Sequence, residues 1–551
     1  MPSSLFVRPS ARPAASPSAA NEVPPTTLPT APPAAPSSPM QRMRATMPHV
    51  RMAGVAAFSL LGAFLFGLDA GYLGTMVFWA TFKRDVAHLA DPNAQELSVL
   101  VMTELTTSFG FGAFLAALPC VSGPLMDKRG RRFSIQTGAA LGLAGAVVQA
   151  TSCGLSQMLA GRFASGAATG LLSTVLPLYI GEVAPVRARG TYLVMYQLML
   201  TAGIPAAAIV NEAVKHLQNG WRYSIAVQAV VASVLLVGMF FMPRSPRWLV
   251  LQGRREEALR SLRSVRDAEH AAAELKEIEA GCATAAALEV PRWRELFVGY
   301  VGKLTALGAG LQFLQQATLL GAQWGLALGF VQSMGMSRDR LLTVFAVLGL
   351  AMTFPSMYLI ERVGRRALLV WGSAFMLVSS VALGALGTLG ADHTSTYVWT
   401  VKSQAAGRAM LLCVFTFLSS FALTWGPVVW AYCGEIYPLK HRSRCTGIST
   451  ATNWGMNFAL AQLLTVAYTG LGFHIMWVQA AFLVLGLAAV WHLPETRGLS
   501  LEDIDARLRA RFGASPDAPG RGGKAAACAD PAASTDSTPS VGTSQKGAGS
   551  P

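Results

Sequence analysis

One short motif occurs twice in this chain, once in each half. Residues 179–185 read Tyr-Ile-Gly-Glu-Val-Ala-Pro, and residues 432–438 read Tyr-Cys-Gly-Glu-Ile-Tyr-Pro. Other segments repeat in the same order: basic loops precede the motif at 127–132 and 361–366, and proline motifs follow it at 243–247 and 494–498. Because ordered pairs of this kind mark an internal repeat, the fold must contain two related halves.

Apolar stretches recur along both halves. Hydrophobic residues fill 52% of the 551 positions and charged residues only 13%, too few to cover a soluble protein of this size. Each stretch is long enough to cross a hydrocarbon layer about 30 Å thick as a helix. They lie near residues 52–76, 98–122, 133–153, 157–180, 190–212, 222–243, 302–330, 341–360, 367–388, 409–433, 446–468 and 471–493. The pattern predicts an all-α membrane protein with twelve transmembrane helices in two pseudo-symmetric six-helix domains, which is typical of a transporter that moves around a central site.

The same pattern divides the chain into segments. It predicts a disordered cytosolic tail at 1–50, a six-helix domain at 51–243, a cytosolic linker with short helices at 244–299, a second six-helix domain at 300–494 and a largely disordered cytosolic tail at 495–551. No cleavable signal peptide is recognisable, so the first span is expected to direct membrane insertion.

The basic residues indicate the orientation of the spans. Arginine and lysine clusters follow spans two, four, six, eight and ten, for example at 128–132 and 362–366, whereas the opposite loops carry fewer. The positive-inside rule therefore places both termini and the linker in the cytosol, and the plasma membrane is the default location. The formal net charge of +15 then follows from topology, and no nucleic-acid partner is expected because the basic residues are spread over short loops.

Two charged residues lie within predicted spans. Asp69 is in the first span and Arg162 is in the fourth. A charge near the bilayer centre costs about 2.5–3.5 kcal/mol on insertion scales, so the two side chains are expected to face each other inside the bundle. Protonation of Asp69 would then release Arg162 and act as a switch. The alternative is a static pair that only joins two helices.

The duplicated motifs carry a second set of charges on the cytosolic side. The set comprises Asp127, Arg131, Glu182 and Arg189 in the first half and Glu361, Arg365, Glu435 and Arg442 in the second. The Arg-rich loops can supply partners to the glutamates across the pseudo-two-fold axis. Ion pairs that form when this side closes and break when it opens would bias a two-state equilibrium and act as a gate. The alternative is that the basic residues only hold the spans in their orientation.

With these motifs in order, the chain resembles the sugar porter branch of the major facilitator superfamily, of the fungal sugar–proton symporter type, from about Ala56 to Asp505. The matching pieces include Gly67-Leu68-Asp69, Gly123 to Arg132, Gly161-Arg162, Pro177 to Gly190, Pro246-Arg247-Trp248-Leu249, Gln312, Glu361 to Arg366, Trp425-Gly426-Pro427, Glu435 to Arg442 and Pro494 to Gly498. The resemblance implies two six-helix domains, a site at mid-membrane and alternating access. It also favours proton symport, because proton-coupled members keep an acid at the position of Asp69.

The resemblance also assigns a sugar site by position. The residues that match sugar-contacting positions are Gln197, Gln315, Gln316, Trp430, Asn453 and Trp454. Amide side chains donate and accept hydrogen bonds and can replace water around adjacent hydroxyls, and indole rings pack against the apolar face of a pyranose. A single glutamine in a span can instead serve an interhelical hydrogen bond, but the adjacent Gln315 and Gln316 cannot both face one neighbour.

The chain departs from the family pattern at three positions. Gly321 and Gly349 stand where the family has asparagines, which removes hydrogen bonds worth about 1–3 kcal/mol and opens volume. Either Gln323 substitutes for a lost amide, or the substrate is a disaccharide, a polyol or a less hydroxylated compound rather than an ordinary hexose. Arg244 replaces a glutamate, which is expected to loosen the closed cytosolic side and alter transport rates.

Several functions remain open on the sequence alone. The leading interpretation is a plasma-membrane symporter that imports a mono- or disaccharide together with protons. The alternatives are a sugar sensor on the same scaffold and a proton-coupled transporter of a non-hexose small molecule, including an exporter. An enzyme is not expected, since no nucleophile elbow, phosphate loop or metal-ligand spacing occurs, and no metal or cofactor is predicted. The expected partners are a small sugar, a proton and the lipid bilayer.

Overall fold

The computed structural model describes residues 50–92, 95, 97–286, 292–395 and 398–513. The predicted N-terminal tail and most of the predicted C-terminal tail lie outside the described residues. Within the C-terminal segment, a helix begins after Ser500, because the Ser500 hydroxyl accepts from the Asp503 backbone while the Asp503 carboxylate accepts from the Ser500 backbone. This capping box satisfies two backbone donors that a helix start leaves open.

The described residues form helices throughout both halves. The first half contains α1 (Val50–Ser59), α2 (Leu61–Met76), α3 (Ala80–Ala87), α4 (Val99–Ala117), α5 (Ser122–Lys128), α6 (Arg131–Ala150), α7 (Leu155–Val183), α8 (Arg189–Val214) and α9 (Gly220–Gly238). The linker contains α10 (Pro246–Leu251), α11 (Arg255–Val265) and α12 (Ala268–Ala286). The second half contains α13 (Gly299–Ala317), α14 (Leu320–Phe330), α15 (Arg338–Arg362), α16 (Arg365–Gly390), β1 (Ala391–Ser395), β2 (Val398–Val401), α17 (Gln404–Leu423), α18 (Trp425–Glu435), α19 (Arg442–Leu471), α20 (Ile475–Trp491) and α21 (Leu501–Phe512).

These helices occupy all twelve predicted apolar stretches. Among the described residues, nine helical segments are long and apolar enough to cross a membrane, and the pair α1–α2, bent by 41°, makes ten. The two remaining stretches are α13–α14 and α19. They are less apolar because they carry polar residues that face the interior, such as Gln312, Gln315 and Asn453, which are all buried. The predicted helix order is therefore observed.

The two halves pack internally and against each other. In the first half α7 packs on α4 and α6, and in the second half α16 packs on α17 and α20. Gly166 and Gly170 allow the close approach of α7 to α4, since a β-carbon at either position would collide with the backbone of Phe109 or Ala113. Between the halves, α4 contacts α19 and α8 contacts α15. These two contacts define the boundary at which the halves can move.

The two ends of the bundle differ in composition. One end carries α5, the linker helices and α21, and it buries Arg131, Arg189, Arg365 and Arg442; we call it the basic end. The other end carries α3 and an antiparallel hairpin, β1 paired with β2, and we call it the hairpin end. Among the described residues, this hairpin is the one departure from the predicted all-α fold.

Candidate functional site

Four amide side chains meet where α13 contacts α19. Gln312, Gln315 and Gln316 are three and four positions apart on α13, so they lie on one side of the helix. Asn453 on α19 donates to Gln312 Oε1 at 2.7 Å and to Gln315 Oε1 at 2.8 Å, and its own Oδ1 accepts from Gln316 Nε2 at 3.0 Å. We call these four residues the amide cluster. It unites three of the predicted substrate residues and adds Gln312, which the predicted site did not include. The expectation that the adjacent Gln315 and Gln316 cannot both face one neighbour was wrong, because both bond Asn453, one through its amide nitrogen and the other through its amide oxygen.

The amide cluster extends towards the first half through α18. Gln315 Nε2 donates to the carbonyl oxygens of Trp425 at 2.8 Å and Gly426 at 3.2 Å, at the break between α17 and α18. On the other side of this break lies Gln197 of α8, whose Cδ would be 3.6 Å from a β-carbon placed on Gly426. Gln197 makes no side-chain hydrogen bond to another described residue. An amide of the first half is thus available beside the amide cluster of the second.

The two predicted indoles lie at the boundary between the halves. The Trp430 ring packs against Tyr196 of α8, with the ring centroids 5.6 Å apart. Trp454 donates from Nε1 to Ser173 Oγ of α7 at 3.3 Å and packs edge-on against Phe66 and Phe109. Trp454 therefore contributes an aromatic wall, because the protein itself already uses its N–H.

The glycines that depart from the family pattern differ in their surroundings. Gly349 is buried, yet a β-carbon built on it would meet no atom within 4 Å, so an open space lies beside α15. At Gly321 the same β-carbon would lie 3.5 Å from Leu464. Gln323, the predicted substitute for a lost amide, is buried and donates to Gln479 Oε1 of α20 at 2.9 Å, so its amide nitrogen is engaged there. The volume at Gly349 is therefore left open.

Asp69 of α2 and Arg162 of α7 form a buried ion pair. Arg162 Nη1 lies 2.5 Å from Asp69 Oδ2, and each side chain is 5% exposed. Arg162 also donates from Nε to Leu105 O at 3.0 Å and stacks over the Phe109 ring at 4.7 Å. Gln228 of α9 donates to the other Asp69 oxygen at 3.2 Å. Gln228 is not among the residues predicted from the sequence, although a glutamine within the sixth span is a recognisable signal.

At the basic end of the first half, Glu182 of the repeated motif holds three elements together. Arg131, at the start of α6, donates to Glu182 Oε1 at 2.9 Å, and Ser245 Oγ, before α10, donates to Oε2 at 2.6 Å. The motif tyrosine, Tyr179, donates from its hydroxyl to Pro243 O at 2.7 Å. The glutamate thus joins the basic loop, the repeated motif and the proline motif.

The second half repeats these contacts. Arg365, at the start of α16, donates to Glu435 Oε1 at 2.8 Å, and Thr496 Oγ1 donates to Glu435 Oε2 at 2.7 Å. Tyr432 donates to Pro494 O at 3.0 Å. Equivalent residues of the three duplicated segments therefore meet in the same way in both halves. Ser245 and Thr496 are not among the residues predicted from the sequence, although both hold the same position in the duplicated proline motif.

Three of the predicted gate residues form no ion pair with another described residue. Arg189 donates to Leu499 O at 3.4 Å, and Arg442 donates from Nε to Tyr437 O at 3.0 Å. Asp127 is the third. The Arg131–Glu182 and Arg365–Glu435 pairs thus lie within each half and do not cross the pseudo-two-fold axis as the sequence predicted. An arginine–glutamate pair outside the predicted set, Arg247 of α10 with Glu502 of α21 at 3.1 Å, joins the segments that follow the two halves.

Other contacts between the halves at the basic end involve Glu361 and a helix N-terminus. Glu361 Oε1, at the end of α15, accepts from the backbone N–H groups of Gly190 at 2.7 Å and Thr191 at 3.3 Å, in the first turn of α8. Thr191 Oγ1 donates to Met357 O at 3.1 Å. A carboxylate is favoured at a helix N-terminus, because the backbone N–H groups there lack helical partners. These bonds hold the two halves together at the basic end.

Twelve spans in two equivalent halves, with polar side chains buried where the halves meet, define a membrane transporter of the major facilitator fold. The chain belongs to the sugar (and other) transporter family, which matches residues 55–508. This membership confirms the resemblance to sugar porters, the multi-pass membrane location and the prediction that the chain is not an enzyme.

Individual relatives cover most of the chain. It is 31% identical over 477 residues to the probable glucose transporter rco-3 of Neurospora crassa, covering 82% of this chain and 78% of that protein. It is 30% identical to the high glucose sensor RGT2 of Saccharomyces cerevisiae, covering 83% of this chain and 60% of the sensor. The proton:xylose symporter XylE has the same fold, with a TM-score of 0.71 at 24% identity, covering 84% of this chain and 99% of XylE.

Proposed function

We propose that this protein imports a sugar or a polyol by alternating access and couples import to protons. The observation that carries the proposal is the amide cluster of Gln312, Gln315, Gln316 and Asn453 beside the unpaired amide of Gln197. Amides on both sides of the boundary can hydrogen-bond adjacent hydroxyls from opposite directions. A substrate bound there joins the halves and favours their closure around it.

The open space beside Gly349 supports a substrate class. A pyranose that lacks an amide partner on α15 leaves that space unfilled, whereas a larger or branched polyol can occupy it. Trp430 and Tyr196 form an aromatic surface against which the apolar face of a ring can pack. The substrate we expect is therefore a disaccharide or a bulky polyol in preference to a simple hexose.

Asp69 and Arg162 are the proposed proton-coupling pair. Protonation of Asp69 removes the charge that Arg162 balances, but Arg162 retains Leu105 O and the Phe109 ring as partners. Because Phe109 also packs against Trp454, a shift of Arg162 reaches the boundary between the halves directly. The pair can therefore convert a proton into a movement of α2 against α7, with Gln228 holding the carboxylate in place.

The proposed gate is the set of crossing contacts at the basic end. Opening this end requires that Glu361 leave the N-terminus of α8 and that Thr191 leave α15. The buried pairs of Glu182 and Glu435 stay within their own halves and hold each half rigid during this movement. The halves we assign are residues 51–243 and 300–494. We place the protein in the plasma membrane, with the basic end and both termini in the cytosol.

Uptake in a transporter-deficient cell tests this function. A panel of labelled hexoses, disaccharides and polyols is offered at acid and neutral outside pH to cells that express the wild type or Asp69→Asn. We expect acid-stimulated accumulation in the wild type and only equilibration in Asp69→Asn. Glu212→Gln is the matched control, because it removes an exposed carboxylate of the same half and should leave accumulation intact. Accumulation that persists in Asp69→Asn would refute proton coupling through this residue.

A sensor is the second candidate, favoured by the similarity to RGT2. To separate the two functions, the purified protein is tested with the same hexoses, disaccharides and polyols for thermal stabilisation, and the result is compared with uptake in cells. Binding without uptake in any cell would favour the sensor. Uptake of a compound that also stabilises the protein would favour the transporter.

A further inference from the structure

The N-terminus of α16 carries an internal carboxylate. Glu495 of the second proline motif accepts from the backbone N–H of Arg365 through Oε1 and from that of Arg366 through Oε2, both at 3.0 Å. The helix begins after Gly364, whose φ of 98° turns the chain so that these N–H groups point outwards. The carboxylate thus neutralises the positive end of the helix.

The first half has the same backbone but not the same carboxylate. Its helix α6 begins after Gly130, with a φ of 88°, and the residue equivalent to Glu495 is Arg244. The neighbouring Ser245 bonds its motif glutamate as Thr496 does, so the two proline motifs are in register. No described side chain accepts a hydrogen bond from the backbone N–H groups of Arg131 or Arg132. Beside Gly130 lies the ring of Trp248, 3.0 Å from where a β-carbon would be, whereas Glu495 lies beside Gly364. The start of α6 therefore has no described carboxylate on its backbone N–H groups, and an indole ring packs on its glycine.

A cavity of about 290 Å³ lies at this helix start, with Trp248 in its lining. Four arginines line it, Arg129, Arg131, Arg132 and Arg244, and no acidic residue is among its lining side chains. Gln136 also lines the cavity, and its Nε2, although the residue is only 9% exposed, has no hydrogen-bond partner. The equivalent residue of the second half is Val370, which needs no partner. An unpaired buried donor on the second turn of α6 is a separate indication that an acceptor binds here.

The mouth of the cavity is apolar. Phe240, which is 61% exposed, lines it, and the adjacent Phe241 is 81% exposed. A second, larger cleft of about 790 Å³ shares Arg132 and Arg244 with the cavity and includes Phe241. Glu257 also lines this larger cleft and lies 3.8 Å from Arg244. A ligand for this place needs both an anion and an apolar part, because a soluble anion leaves both phenylalanines exposed.

We propose that the cavity at the N-terminus of α6 binds the phosphate group of an anionic membrane lipid. The phosphate oxygens accept from the helix N–H groups, the Gln136 amide and the guanidinium of Arg244, while the acyl chains cover Phe240 and Phe241. The lipid supplies in the first half the negative charge that Glu495 supplies in the second. Because Arg244 precedes Ser245, which holds Glu182, the bound lipid fixes the linker against α6.

Thermal unfolding of the purified full chain in a neutral detergent tests this site. Dioctanoyl phosphatidic acid is the probe, dioctanoyl phosphatidylcholine is the zwitterionic lipid without net charge and glycerol 3-phosphate is the soluble phosphate. We expect a saturable rise of the unfolding temperature with phosphatidic acid alone. Arg244→Glu, which provides a carboxylate as Glu495 does, should weaken binding and raise the half-saturating concentration of phosphatidic acid at least tenfold. Arg263→Glu makes the same charge change on the exposed face of α11 and should leave it unchanged.

Gln136→Leu provides a second variant that keeps every charge. It should weaken binding of phosphatidic acid several-fold, and it serves as the test if Arg244→Glu does not fold. Equal effects of Arg244→Glu and Arg263→Glu would overturn the site, because they would show general attraction to a basic surface. A response to glycerol 3-phosphate equal to that for the lipid would replace the lipid with a soluble phosphate. No response to any of the three compounds would also overturn the proposal.

Discussion

At the scale of single residues, buried glutamines divide between the site and the scaffold. Gln315 of α13 joins the amide cluster, whereas Gln323 of α14 bonds Gln479 of α20 outside it. We expect Gln315→Leu to raise the KM for uptake at least tenfold and Gln323→Leu to leave it unchanged. Both variants should lower the unfolding temperature, since each removes a buried hydrogen bond worth about 1 kcal/mol. Equal changes in KM, measured by uptake kinetics, would contradict the assignment of Gln315 to the site.

The space at Gly349 gives a second prediction for a single residue. Gly349→Asn places an amide where a β-carbon meets no atom, so it should strengthen competition by simple hexoses several-fold and weaken competition by larger compounds. Gly349→Ala is the matched control, because it adds a β-carbon without an amide and should leave hexose competition unchanged. Competition against the preferred labelled substrate measures both effects. Identical profiles for the two variants would mean that this space does not border the substrate.

At the scale of helices, the arginine partners of the two repeated glutamates differ in whether a second carboxylate lies beside them. Glu182→Gln leaves Arg131 buried without any described carboxylate, whereas Glu435→Gln leaves Arg365 with Glu361 at 3.1 Å. A buried charge that loses its partner costs about 3–5 kcal/mol. We therefore expect the unfolding temperature to fall clearly further for Glu182→Gln than for Glu435→Gln. Adding Glu361→Gln to Glu435→Gln should remove the difference, and a larger fall for Glu435→Gln alone would contradict the equivalence of the two halves.

The positions of the helices follow from the sequence more fully than their breaks do. Hydropathy and the repeated motif predict the twelve stretches, because lipid-facing residues must be apolar whatever the packing. The stretch 302–330, predicted as one span, is instead broken at Thr318 and Leu319, where Leu319 has a φ of 50°. Neither glycine nor proline marks this break. Gln479 of α20 donates to the carbonyls of Thr318 and Leu319, so the cause is a tertiary contact that local sequence does not contain.

The candidate site shows the same limit. The amide and indole positions could be named from the family resemblance, and Asp69 with Arg162 from the cost of charges in a membrane. The hydrogen-bond partners of these residues could not be predicted from the sequence. That Glu361 also accepts from the N-terminus of α8, beside its pair with Arg365, depends on how the two halves meet, which no single motif encodes. The unfilled space at Gly349 likewise depends on neighbours from other helices.

At the scale of the whole molecule, the two copies of the repeated motif touch each other. Gly181 and Gly434 are equivalent residues, and a β-carbon on Gly181 would lie 3.7 Å from the Gly434 carbonyl oxygen. This contact lies between the halves near the basic end, so alternating access requires it to separate. A disulfide between Gly181→Cys and Gly434→Cys should therefore abolish uptake under oxidising conditions, and a reductant should restore it.

The single variants are the controls for this cross-link, because each carries the same local change without the bridge. Each single variant should transport equally well before and after oxidation. Both also contain the native Cys433, which precedes the second position, so they report any effect of oxidising that residue. Substrate-induced thermal stabilisation should persist in the cross-linked protein, since the hairpin end can still admit the ligand. If the oxidised double variant transports at the rate of the single variants, the halves do not separate at this contact, and the movement must occur within each half.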